Sequence, residues 1–235
     1  MSLPTVILPG YLAGAAPYRE MEQELQDLGY PAVTVPLRRR DWFPTLGGRS
    51  VLPILRLLDQ TVKQVIQTTG SEAINLIGHS AGGWICRIYL GEVPYSIHPG
   101  DSGQVCLWKA HPLVKTLVTL GTPHTSQERW TKRNLDFVKT HYPGAFHSTV
   151  RYVCVAGKAA YGTRSLGNWF TYSSYELTCG QGECWGDGVT PIEAAHLEGA
   201  ENITLDDVWH SPRPGKLWYG SAAVVPVWAE YLARS

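Results

Sequence analysis

Short, continuous apolar runs alternate along this chain with stretches of helical spacing. Val6-Ile7-Leu8 is closed by Pro9-Gly10 and predicts a buried strand ending in a sharp turn. Tyr18, Met21, Leu25 and Leu28 follow at helical spacing, with Pro17 near the start and Gly29 just past the end. Residues 32–35 predict a second strand, stopped by Pro36. Ser50 can cap a long helix carrying Leu52, Leu55, Leu58, Val62, Val65 and Ile66. Strands are predicted over 73–77, 113–120, 151–156 and 202–208, and helices over 82–90, 191–197 and 222–232, the last disturbed by Pro226.

Strands that are apolar throughout, rather than on alternate residues, are covered on both faces. Their alternation with helices indicates an α/β fold with a mostly parallel six-stranded sheet and helices on both faces. Right-handed crossovers then set most of the topology. The length of 235 residues fits one domain, 1–235. Segments 91–112, 122–149 and 158–189 break the alternation and are long for plain loops, which predicts a loop-rich partial lid. They carry Trp108, Trp130, Trp169, Phe170 and Trp185.

Composition narrows the function. Lys+Arg and Asp+Glu both number 20, so the formal charge is zero and the footprint of a nucleic-acid binder is missing. No apolar run is long enough to span a membrane, and the apolar start, 3–16, lacks a basic leader and is broken by Pro4, Pro9, Gly10 and Gly14. A cytoplasmic protein is expected. Five cysteines show no metal-finger spacing; Cys86, Cys106 and Cys154 sit in apolar runs, whereas Cys179 and Cys184 flank a loop that a disulfide could close.

The sharpest chemical signal is Gly78-His79-Ser80-Ala81-Gly82-Gly83, a G-x-S-x-G turn between the strand AINLI and the helix GWICRIYL. A serine raised on such a turn has no room for side chains two positions away, and Gly78 and Gly82 remove them. Ser80 then stands at a helix N-terminus, where backbone N–H groups favour developing negative charge. The bland alternative is a glycine-rich turn with an incidental serine.

A serine hydroxyl needs a base, and the base needs a carboxylate to orient it. In this architecture both follow the serine, acid before histidine. His210 ends the last strand, and Asp187 lies in Gly186-Asp187-Gly188-Val189-Thr190-Pro191. His124 competes as base, and Asp206 and Asp207 as acid. His79 is expected to pack or hydrogen-bond within the turn. Two oxyanion donors are expected from the backbone, the amide of Ala81 and that of Tyr11 in the loop Leu8-Pro9-Gly10-Tyr11-Leu12.

With LPGY, GHSAGG, LGTPH and GDGVTP in this order, the chain resembles the α/β-hydrolases of the lipase-like branch over nearly its whole length. LGTPH and GDGVTP resemble lipases of the lecithin:cholesterol acyltransferase and GPI-inositol-deacylase type; short cyanobacterial and plastid hydrolases are looser relatives. The resemblance implies a minimal α/β-hydrolase fold beginning at the family's third strand. It also implies a serine ester hydrolase acting through an acyl-enzyme, and the aromatics of the three irregular segments point to a hydrophobic acyl ester, such as a lipid ester, as its substrate. No metal or organic cofactor is implied. Leu12, His124 and Trp169 are the expected substrate contacts. The run Arg38-Arg39-Arg40-Asp41-Trp42-Phe43 would suit either a solvated loop or peripheral contact with a membrane. An acyltransferase or thioesterase using the same serine, a peptide hydrolase and a non-catalytic ligand binder are the alternatives; oligomeric state is open.

Overall fold

The computed structural model describes residues 2–101, 103–104, 106–129 and 131–233. Trp130, one of the expected lid aromatics, lies outside the described residues. In chain order the regular elements are β1 (Thr5–Leu8), α1 (Arg19–Asp27), β2 (Ala32–Thr34), α2 (Leu52–Thr69), β3 (Ile74–His79), α3 (Ala81–Leu90) and β4 (Val114–Leu120). They continue with α4 (Lys132–His141), β5 (Arg151–Lys158), β6 (Ala160–Tyr161), α5 (Trp169–Cys179), β7 (Trp185–Gly186), α6 (Ile192–Ala195), β8 (Glu201–Asp206), β9 (Val208–Trp209), β10 (Leu217–Trp218) and α7 (Val225–Ala229).

Six strands form one sheet in the order β2-β1-β3-β4-β5-β8, and every neighbouring pair is parallel. The apolar runs are continuous because alternate residues enter two different cores. Val6, Leu8, Leu76, Leu117 and Cys154 pack with α2, α3 and α4 on one face. Ile7, Ile77, Val118, Val153 and Val155 pack with Met21 and Leu25 of α1 and Trp228 of α7 on the other. Each such buried aliphatic side chain contributes about 1.5–3 kcal/mol relative to exposure. The strand order reverses between β1 and β3, since β2 lies on one side of β1 and β3 on the other. That reversal opens a crevice at the carboxyl ends of the strands, the place where ligands bind in open α/β sheets.

The departures from expectation lie outside the sheet. Segments 122–149 and 158–189 hold helices α4 and α5 rather than loops alone. Helix α7 is limited to five residues, with Pro226 tolerated in its first turn where its missing N–H costs nothing. The C-terminal edge of 202–208 breaks at Asp207, which adopts φ 59° and separates β8 from β9. Trp42, expected in a wet loop, is fully buried and donates its indole N–H to the Ala13 carbonyl at 2.8 Å, while Arg38, Arg39, Arg40 and Phe43 stay exposed. Cys86, Cys106 and Cys154 are buried. Cys179 and Cys184 are free thiols that both donate to the Gln181 carbonyl, so the disulfide is not formed here. No helix among the described residues is long and apolar enough to cross a membrane.

Candidate active site

Ser80 sits between β3 and α3 with φ 52° and ψ −125°, a strained conformation for a residue with a Cβ. Neighbouring glycines make the turn feasible. A Cβ on Gly78 would run into the backbone of Gly83, and one on Gly82 into the Leu8 carbonyl oxygen. Helix α3 can therefore lie close against β1 and β3. The turn is further held by the Ser80 amide donating to Leu120 O at 2.8 Å and by Thr122 Oγ1 donating to Ser80 O at 2.9 Å.

Three side chains remote in sequence meet here. His210 Nε2 lies 3.0 Å from Ser80 Oγ, and His210 Nδ1 lies 2.7 Å from Asp187 Oδ2. The two loops are also joined through their backbones, with the His210 amide donating to Asp187 O at 2.9 Å. Asp187 is fully buried. Its Oδ1 accepts the amides of Val189 at 3.0 Å and Thr190 at 2.7 Å, and its Oδ2 also accepts the Tyr219 hydroxyl at 2.7 Å. Burial alone would push this carboxyl up. The charge and hydrogen bond of His210, the Thr190 amide and the Tyr219 hydroxyl together outweigh that, and hold it below the usual carboxylate range. Tyr219 is itself oriented by the Gly157 amide, which donates to its oxygen at 2.8 Å.

The amides of Tyr11 and Ala81 have no hydrogen-bond acceptor among the described residues. Both residues line one cavity with Ser80. A Cβ on Gly10 would sit 3.0 Å from Ser80 Cβ, so the loop after β1 passes directly beside the serine. Two free N–H groups next to a hydroxyl–imidazole–carboxylate line can accept negative charge as it develops.

The other candidates are placed elsewhere. His124 is buried, with Nδ1 3.2 Å from the Arg87 guanidinium and Nε2 3.3 Å from Thr119 Oγ1, and it does not reach Ser80. Asp206 faces solvent and pairs with Lys158 at 3.4 Å, and Asp207 is exposed. Leu12, His124 and Trp169, the expected substrate contacts, are not among the described wall residues of the serine cavity. Leu12 packs against the core instead, and Trp169 stacks on Tyr172 at the surface. Trp108, Phe170 and Trp185 do not line the cavity either; among the described residues its aromatic wall is Tyr11, Trp42 and Trp84. Segment 91–112 contributes nothing to that wall among the described residues, because Tyr95, Cys106 and Ala110 are drawn into the core behind α3. Tyr18, Tyr175 and Tyr219 had no signal in the sequence. Each hydroxyl takes a backbone N–H of a site loop, those of Gly10, Gly188 and Gly157, at 2.8 Å.

The histidines make a prediction about acid stability. Burial first, then the charge of His210, pushes His79 down to about 3, and burial followed by Arg87 holds His124 well below its ordinary value. An unfolded chain protonates both near 6.5, so below that pH the unfolded state binds more protons. Stability is therefore expected to fall as pH drops below about 6.5, by up to about 1.4 kcal/mol per pH unit for each ring that stays neutral in the folded chain, and down to about 3 for His79. Asp187, whose carboxyl is depressed, contributes stability above about 3.9 and loses it below. Urea midpoints between pH 7 and pH 4 check this; a midpoint that does not move would contradict two neutral buried imidazoles.

No protein-family model and no curated protein matches the sequence. Among solved structures, the lin2722 gene product of Listeria innocua is similar at 10% identity and TM-score 0.53, covering 100% of this chain and 95% of that one. The fold is a minimal α/β-hydrolase fold. A protein assigned to the alpha/beta hydrolase superfamily from Xanthomonas campestris pv. campestris is similar at 15% identity and TM-score 0.48, covering 98% of each chain. An epoxide hydrolase of Bacillus megaterium is similar at 17% identity and TM-score 0.34 over 54% of this chain, which spans only 38% of that larger protein.

Proposed function

We propose that this chain is a serine ester hydrolase acting through an acyl-enzyme. One observation carries the reading: Ser80 Oγ, the His210 ring and the buried Asp187 carboxylate form a continuous hydrogen-bonded line at the mouth of a cavity beside two free amides. In the proposed reaction His210 takes the Ser80 proton as Ser80 attacks the ester carbonyl. The Tyr11 and Ala81 amides bind the oxyanion, and the alcohol leaves with the proton from His210. Water activated by the same imidazole then frees the acid. Asp187 fixes the Nδ1–H tautomer and stabilises the imidazolium. The likeness of LGTPH and GDGVTP to lipases points the same way, towards esters.

The cavity refines the substrate. Its volume is 230 Å3, small beside the roughly 300–1,000 Å3 of ordinary small-molecule pockets. Trp42, Trp84 and Val51 give its lining apolar groups, and Thr45, Thr131 and Asn134 add polar ones. This supports a compact acyl group within the hydrophobic ester class that the lid aromatics suggested, whose chain length the sequence left open. A larger groove of 1160 Å3, lined by Pro4, Pro31, Ala73 and Lys115, holds none of the candidate residues.

The test is a series of p-nitrophenyl esters from acetate to palmitate, with phospholipid and triacylglycerol emulsions beside it. The expected kcat/KM is highest between two and eight acyl carbons and falls at least ~10-fold at palmitate, where most of the chain stays outside the cavity in water. A maximum at palmitate, or efficient emulsion hydrolysis, would overturn the compact-acyl reading. No hydrolysis together with no labelling by a fluorophosphonate would end the hydrolase reading.

A further inference from the structure

Behind the serine, a second line of buried groups crosses the site from one loop to the other. The Gly10 amide lies 2.8 Å from Tyr18 Oη, Tyr18 Oη lies 2.7 Å from His79 Nδ1, and His79 Nε2 lies 2.8 Å from the carbonyl oxygen of His210. Only one arrangement of protons satisfies it. A carbonyl oxygen only accepts, so His79 Nε2 carries a hydrogen. The ring is neutral, held so by burial and by the neighbouring His210, so Nδ1 is bare and accepts. The Tyr18 hydroxyl must then donate to Nδ1 and accept from Gly10. Every donor has its acceptor, and no alternative tautomer fits.

We propose that Tyr18 and His79 are a positioning relay, which ties the oxyanion loop to the backbone of the general base and holds both flanks of Ser80 in one register. The proposal rests on the hydrolase reading. Gly10 immediately precedes Tyr11, whose amide is one oxyanion donor. His210 carries the base, and His79 is the residue before the nucleophile. A Cβ on Gly10 would meet His79 Nδ1 and Ser80 Cβ alike at 3.0 Å, so these parts are in contact and not merely linked by a chain of bonds. The His79 ring is boxed by Tyr18, His210, Trp218 and Tyr219, with centroids 4.9–5.9 Å away. It cannot swing out to trade this role for another. Catalytic groups a few tenths of an ångström out of register bind substrate normally but stabilise the transition state less. Tyr18 and His79 touch no reacting atom in this account.

Three variants separate positioning from packing. Tyr18→Phe keeps the ring and removes only the hydroxyl. His79→Asn places its amide near the Nδ1 position and leaves the His210 carbonyl without a donor. His79→Gln can carry an amide N–H to the Nε2 position and restore that donor. Tyr18→Phe and His79→Asn are each expected to lower kcat for p-nitrophenyl butyrate by about 10- to 100-fold with KM within about twofold. They should slow fluorophosphonate labelling of Ser80 in proportion. The double variant should lose no more than the worse single one, because both cut the same line. His79→Gln, which returns a donor to the His210 carbonyl but no acceptor to the Tyr18 hydroxyl, should regain part of the activity lost in His79→Asn. Thermal melting identifies any variant that does not fold; Tyr18→Phe, which removes one oxygen, then carries the test alone. Labelling of Tyr18→Phe at the wild-type rate, losses that multiply in the double variant, or a KM that rises as kcat falls overturns the relay while leaving the hydrolase intact. Wild-type protein that takes no label at Ser80 overturns the hydrolase reading itself.

Discussion

Ser80→Ala is expected to lower kcat/KM for a short p-nitrophenyl ester by about 10^6-fold and to abolish fluorophosphonate labelling, with the melting temperature almost unchanged. The size follows from the proposed chemistry, in which no other group forms the acyl-enzyme. The selectivity follows from the structure. Among the described residues Ser80 Oγ makes one side-chain hydrogen bond, to His210, and no bond that shapes the turn. The turn is held by backbone contacts and by the Thr122 hydroxyl on the Ser80 carbonyl. Alanine keeps the Cβ and its φ of 52°, so it neither adds nor relieves backbone strain. Substantial residual turnover by a folded Ser80→Ala protein would mean that the reaction runs through a different nucleophile.

Asp187→Asn is expected to lower kcat by about 10^3–10^4-fold, the scale seen when a triad carboxylate elsewhere is made an amide. The Asp187 carboxylate accepts four hydrogen bonds, two on each oxygen. An asparagine has one acceptor oxygen. Turned one way, its NH2 faces the Val189 and Thr190 amides; turned the other, it faces the His210 N–H and the Tyr219 hydroxyl. The two backbone amides can only donate, so the oxygen turns to them and the NH2 faces His210, which favours a ring with its hydrogen moved to Nε2, where it cannot take the serine proton. Asp207→Asn, at an exposed position on the same stretch, is expected to stay within twofold of wild type. A large loss in Asp207→Asn with little change in Asp187→Asn would reassign the acid.

The serine was legible in the sequence because its turn has few solutions: small residues two positions either side, a strand before and a helix after. Asp187 and His210 were legible more weakly, through chain order and their place after strands. The tyrosines were not legible at all. Tyr18 is one member of an amphipathic helical stripe, and Tyr219 follows a two-residue strand; nothing local separates either from a core tyrosine. Which aromatics line the cavity was not legible for the same reason. An aromatic such as Trp169 carries no mark that says whether its face meets a cavity or solvent, whereas Trp42, read as a surface residue, became part of the cavity wall.

Local order along this polypeptide therefore determined the alternation of strands and helices, the strained turn at position 80 and the kinds of group available to it, because each depends on neighbours a few residues away. Tertiary packing alone decided the 3.0 Å approach of an imidazole 130 residues downstream, the four donors converging on one carboxylate, and the 230 Å3 left open beside the serine. Those quantities are differences between large closely packed surfaces. A shift of an ångström in how α4, α5 and the loop after β9 settle on the sheet would change them, and such a shift leaves no trace in the order of residues.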